Sequence, residues 1–197
     1  MTPPFYFLLS TFHSAAGGLA HLVQTGFGGF YDGIAHWALS PRDLLVTLGM
    51  ALLGGLGGTK VARTVTIAFP LAWAIGGIVG MRLPSLGELT WATTLSVGLI
   101  GLLVASSKVL QPKPAIALAA ITGLLHGLAN GSVVINEELD FLALVGCVLA
   151  VALVTLIGSA FLSKIENPAG HIAMRVGGSW LAAIALLWCA WLLRSST

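Results

Sequence analysis

The sequence predicts an all-α, polytopic membrane protein with six or seven transmembrane helices. Three observations carry that expectation. Only 8% of the 197 residues are charged, against about 25% in a soluble domain, so the chain cannot cover a water-facing surface. Mean hydropathy is +0.97, and 57% of the residues are hydrophobic. Apolar stretches of about 20 residues, the length that crosses a bilayer, recur along the chain. The 25 glycines suit close helix contact in lipid. A formal net charge of +2, with scattered basic residues, argues against a nucleic-acid partner. Cys147 and Cys189 lie in apolar runs without CxxC spacing and read as small buried hydrophobes.

The elements follow in order. A weaker apolar stretch over 4–23 is read as a retained helix; residues 1–20 also resemble a secretory signal, with Gly18 and Ala20 before a cut, but lack a positive n-region. Residues 21–197 form the main transmembrane domain. Gly26, Gly28 and Gly29 are expected to break the chain ahead of a short outer half-helix over 30–39. Ser40-Pro41 reads as an N-cap and a first-turn proline, opening a span over 41–58. A span over 64–81 contains Pro70, expected to kink it. Further spans cover 86–106, 114–133, 140–163 and 171–193.

The basic residues orient these spans. Lys60, Arg63, Lys108, Lys113, Lys164 and Arg175 fall on one side, and Arg42, Arg82 and Arg194 on the other. The larger group is expected in the cytoplasm of a multi-pass inner (plasma) membrane protein. The region 21–40 and the C-terminus are then extracytoplasmic. Asp32, Asp43, Glu88, Glu137, Glu138 and Asp140 share that outer side, and Trp91, Trp188 and Trp191 lie near outer helix ends.

An internal pattern recurs. GFYDGIAH from Gly29 and GLLHGLAN from Gly123 both read G-x-x-polar-G-aliphatic-Ala-polar. DLLVTLG from Asp43 and DFLALVG from Asp140 follow them. With seven spans, the first three and the last three run in the same direction, which suggests a parallel three-helix repeat joined by a linker helix.

The polar residues gather at these motifs. Asp32 and His36, like His126 and Asn130, are four apart and share a helix face. Imidazole with carboxylate suits a divalent transition metal. The candidate ligands are His36, Asp32, His126, Asp43 and Asn130, with His36 and His126 expected to approach each other near the outer face. Structural readings stand beside this one. Arg42 and Asp43 suit an interfacial helix start. Asp32 and His36 could pair to tie down the half-helix. His126 could bond Asn130 or a backbone carbonyl, although an intramembrane histidine is a functional candidate by default. Glu137 and Glu138 read as a solvated loop, and His13 and His171 as structural. No nucleophile, phosphate-loop or haem motif stands out, so an enzyme is not expected.

At these residues the chain resembles the HupE/UreJ family of small membrane proteins. HWALSPRDLL, from His36, resembles a family signature H-P-x-x-G-x-D-H-L-L, and LHGLANGSV, from Leu125, a later F-H-G-x-A-H-G-x-E run. His36 and His126 match. The family's Asp falls on Arg42, the following His on Asp43, the second His of the later run on Asn130, and its Glu on Val133. The resemblance is to a divergent branch. It implies a nickel or cobalt permease of the kind associated with hydrogenase and urease gene clusters. The expected function is therefore an outward-facing divalent-metal permease or metal-binding protein, with passage near Thr47, Ser96 and Thr122. The alternative is a membrane accessory or assembly subunit whose polar site is structural. The expected partners are the lipid bilayer, a metal ion, and a membrane protein or a second copy; no cofactor is identified beyond that ion.

Overall fold

A computed structural model describes residues 25–83, 89–136 and 139–195. Among them every regular element is helical: α1 (Gly29–Leu39), α2 (Pro41–Leu56), α3 (Gly58–Gly80), α4 (Leu89–Ala105), α5 (Pro112–Asn136), α6 (Phe141–Leu162) and α7 (Pro168–Ser195). The stretch over 4–23, with its signal-like alternative, and the Glu137–Glu138 pair lie outside the described residues.

α3, α5, α6 and α7 are long and apolar enough to cross a bilayer. α1 and α2 form an apolar pair bent by 79° at Ser40, the geometry of a broken span or a re-entrant loop, and α4 is a shorter apolar helix. With 16 residues, α2 is about 24 Å long, less than a bilayer core of about 30 Å. Its first turn can therefore start below the membrane surface. Leu71, Ile75, Leu99, Leu153, Ile157 and Leu186 are exposed around the bundle, as lipid-facing side chains are.

The boundaries have local causes. Gly26 and Gly28 take positive φ of 77° and 100°, which a side chain resists, and α1 starts directly after them. Ser40 caps α2, with Pro41 at its first position, where a missing N–H costs nothing. The connection expected between 58 and 64 shrinks to Gly57, so Lys60 and Arg63 lie inside the first turns of α3 rather than in a loop. Their long stems let charged ends reach the interface from within a helix. α3 runs continuously through the buried Pro70.

Packing explains the recurring glycine pattern. A Cβ on Gly127 would run into the Trp73 carbonyl, and one on Gly123 or Gly131 into the carbonyls of Phe69 or Gly77. α5 thus lies backbone to backbone on α3 along a four-residue glycine spacing. Gly33 likewise faces the Ala143 carbonyl, and Gly146 that of Phe30, so α1 lies equally close to α6. Val46, Met50, Val65, Phe69, Trp73 and Ile100 fill the core between the helices. α7 packs on α4 and α2, whereas α3 packs on α5, α6 and α2.

Candidate functional site

The glycine face of α5 decides where its polar residues go. With Gly123, Gly127 and Gly131 turned to α3, His126 and Asn130 on the adjoining face meet the first turn of α2. His126 Nδ1 lies 2.8 Å from Asp43 Oδ1. An ionised carboxylate only accepts, so Nδ1 carries the hydrogen. Asn130 Nδ2 donates to Asp43 Oδ2 at 2.9 Å, and also to the His126 carbonyl one turn back at 3.0 Å. Ser40 Oγ donates to Asp43 Oδ2 at 2.7 Å. The carboxylate is thus held by donors from the α1–α2 corner and from α5.

The network reaches further on both sides. Ser96 Oγ of α4 lies 3.0 Å from His126 Nε2 and donates to the Thr93 carbonyl at 2.7 Å. Its one hydrogen can serve either acceptor. Thr47 Oγ1 donates to the Asp43 carbonyl at 2.7 Å and accepts from Trp37 Nε1 at 3.3 Å. Cys147 is buried as expected, and its Sγ stands 3.6 Å from Asn130 Oδ1. Trp73 covers one face of the imidazole, with ring centroids 5.4 Å apart. His126 is fully buried, and Asp43 and Asn130 nearly so.

A cavity of about 140 Å³ opens onto this cluster, lined by His36, Ser40, Arg42, Asp43, Thr93 and Asn130. The sequence-predicted residues therefore divide. Asp43, His126 and Asn130 form one bonded group. His36, half-buried, borders the cavity that Asp43 and Asn130 line, while His126 lies behind Asp43 and does not border it. Asp32 is placed elsewhere. Its Oδ1 accepts from both the backbone N–H and the hydroxyl of Thr25, each at 2.6 Å, so it pins the chain entering α1. Among the described residues, no group of three or more His, Cys, Asp or Glu side chains has the spacing of a metal site.

Arg42 occupies the cavity rim. Its Nη1 donates to Thr93 Oγ1 at 3.2 Å, and its guanidinium lies 6.0 Å from the Trp188 ring centre. It is thus a half-buried structural cation as well as an interfacial one. Of the residues expected along an inward path, Thr47 and Ser96 join the network, and buried Thr122 lines an apolar cavity beside Ser96.

Sequence reading missed Ser40 and Ser96 as partners. Ser40 stands three residues before Asp43, the spacing of a helix-start capping pair, and could have been found that way. Ser96 reads from the sequence only as part of an inward path, and nothing in its place on α4 points to His126.

The family model described as HupE / UreJ protein matches residues 8–188, nearly the whole chain. The chain belongs to the HupE/UreJ family. This is a transporter-like membrane family rather than an enzyme family. No curated protein and no solved structure matched the chain. The cluster thus belongs to a HupE/UreJ protein in which Arg42 and Asn130 stand where the family signatures have acid and imidazole.

Proposed function

We propose that this HupE/UreJ protein handles a divalent transition metal ion, nickel- or cobalt-like, as a permease or metal-binding protein of the inner membrane, with its cavity opening outward. The observation that carries the reading is a buried carboxylate in the wall of a small cavity, backed by a buried imidazole from a distant helix. Buried ionisable groups between membrane helices are costly and mark ion pathways by default. In this reading His36 meets the ion at the rim. Asp43 and Asn130 are its inner ligands in the cavity wall, His126 joins them only as the ion displaces its bond to Asp43, and Asp32 supports the site indirectly by anchoring α1. An ion entering must replace hydrogen bonds that Asp43 now accepts. The outward assignment rests on the basic residues, six against three, at the two ends of the spans. A parallel repeat of the first and last three spans is part of the same proposal. Its support is the shared glycine pattern, although Asp43 sits in the third helical position of α2 while Asp140 caps α6.

A second reading is favoured by Arg42. A fixed cation on the cavity wall opposes a divalent ion, and the Asp43 network is complete without one. The protein would then be an accessory or assembly subunit with a structural polar core, working beside a membrane partner. Elemental analysis of purified protein, with and without His126→Ala, separates the two. Nickel or cobalt bound at about one equivalent and lost in the variant supports metal handling. Uptake of either ion into proteoliposomes then separates transport from storage. Protein that holds no ion after dialysis against micromolar nickel or cobalt sinks the metal reading.

A further inference from the structure

Among the described residues, three buried side-chain polar atoms have no hydrogen-bond partner: Trp73 Nε1, beside His126, and Arg42 Nε and Thr94 Oγ1. Arg42 and Thr94 line one cavity of about 440 Å³, walled by Trp188 of α7. Thr94 is fully buried. Asp43, though adjacent in sequence, turns its carboxylate to His126, Asn130 and Ser40. Among the described residues no carboxylate forms an ion pair with Arg42. A guanidinium has five donors in a planar fork suited to phosphate or carboxylate, and among the described residues it makes one hydrogen bond, to Thr93. Trp188 on its face is the side chain that membrane proteins place at headgroup depth.

A second cavity, of about 720 Å³, shares Thr94 with the first as a lining residue. It runs between α4, α5 and α7, and Leu95, Leu99, Ile121 and Leu186 are among its walls. Its size and apolar lining suit a hydrocarbon chain. A small soluble anion would leave it unused. A helix from another protein would fill it while bringing no charge to Arg42.

We propose that Arg42, Thr94 and this groove bind an anionic phospholipid of the bilayer, with its phosphate on the Arg42–Thr94 corner and an acyl chain in the groove. Basic pockets between membrane helices recognise phospholipid headgroups by the same charge complementarity. Arg42 borders both this site and the Asp43 cavity, but the lipid proposal does not depend on metal handling.

The test is native mass spectrometry of the full chain, delipidated in neutral detergent and titrated with phosphatidylglycerol, phosphatidylcholine, palmitate or inorganic phosphate. One phosphatidylglycerol should be retained, about tenfold more tightly than phosphatidylcholine. Arg42→Gln and Thr94→Val should each remove that preference, and Arg82→Gln, at an exposed residue, should keep it. If Arg42→Gln fails to fold, the near-isosteric Thr94→Val decides the matter alone. Equal binding of the two phospholipids, or a preference that survives Thr94→Val, overturns the proposal. So does palmitate binding as tightly as phosphatidylglycerol, which would assign the site to a free fatty acid, or full displacement by inorganic phosphate, which would show that the groove plays no part.

Discussion

His126 and Asp43, 83 positions apart in the chain, meet at 2.8 Å between α5 and α2. The ring is fully buried, and the carboxylate, nearly so, reaches only the small cavity that it lines. Each is the other's main means of remaining polar inside an apolar bundle. The pair therefore fixes how α5 sits against the α1–α2 corner, whatever else it binds.

The two sides of this pair should not contribute independently. His126→Ala leaves a buried carboxylate with one donor fewer, and the expected loss is about 3 kcal/mol. The double variant Asp43→Asn with His126→Gln should lose less than the sum of the single changes. Thermal unfolding in detergent, run as a double-mutant cycle, checks this. Additive losses would show that the two groups do not depend on each other.

Ser96→Ala should destabilise by about 1–2 kcal/mol, because His126 Nε2 loses its neighbour in a buried place. Thr122→Val, a change to another buried hydroxyl on the facing helix, should cost less. The same unfolding assay compares them. An equal loss for both would mean that the Ser96 contact adds nothing specific.

Gly127→Ala should destabilise by about 1–3 kcal/mol through overpacking, since the added Cβ meets Trp73 backbone that cannot turn aside. Gly98→Ala meets only the Ala185 methyl at 3.2 Å and should be tolerated. Expression and monodispersity by size exclusion, followed by unfolding, read out the difference. A benign Gly127→Ala would refute backbone-to-backbone contact of α3 and α5.

Arg42→Asp places an acid where the family signature has one. It should raise nickel or cobalt retention by about tenfold or more, because a like charge beside the ion becomes a ligand. Equilibrium dialysis measures this. Unchanged retention would favour the structural reading of the cavity.

Sidedness can be read with an impermeant thiol reagent. With Cys147 and Cys189 replaced by alanine, Glu137→Cys should label from outside intact cells and Lys108→Cys only after permeabilisation. The reverse pattern would invert the proposed orientation and turn the cavity to the cytoplasm.

The sequence by itself determined the fold class, the membrane setting, the break at Gly26 to Gly29 and the start of α2 at Ser40-Pro41. Those features are local or compositional. Hydropathy, glycine at positive φ and proline at a helix start act within a few residues and need no partner. It also singled out His126, Asn130 and Asp43, because a histidine and an aspartate inside apolar runs are anomalies wherever the chain places them. Only the tertiary structure decided which of the candidates meet. Asp32 and His36 share a helix face, yet Asp32 turns back to Thr25 while His36 borders the cavity. Periodicity gives the face of a helix but not its neighbour. The neighbour is set by where backbones can touch, and here the glycines at 123, 127 and 131 admit α3 and so turn His126 and Asn130 toward α2. Ser96 and Thr94 became meaningful for the same reason. Polarity put Ser96 on an expected inward path, but only packing shows that it faces His126 and that Thr94 faces a cavity without a hydrogen-bond partner.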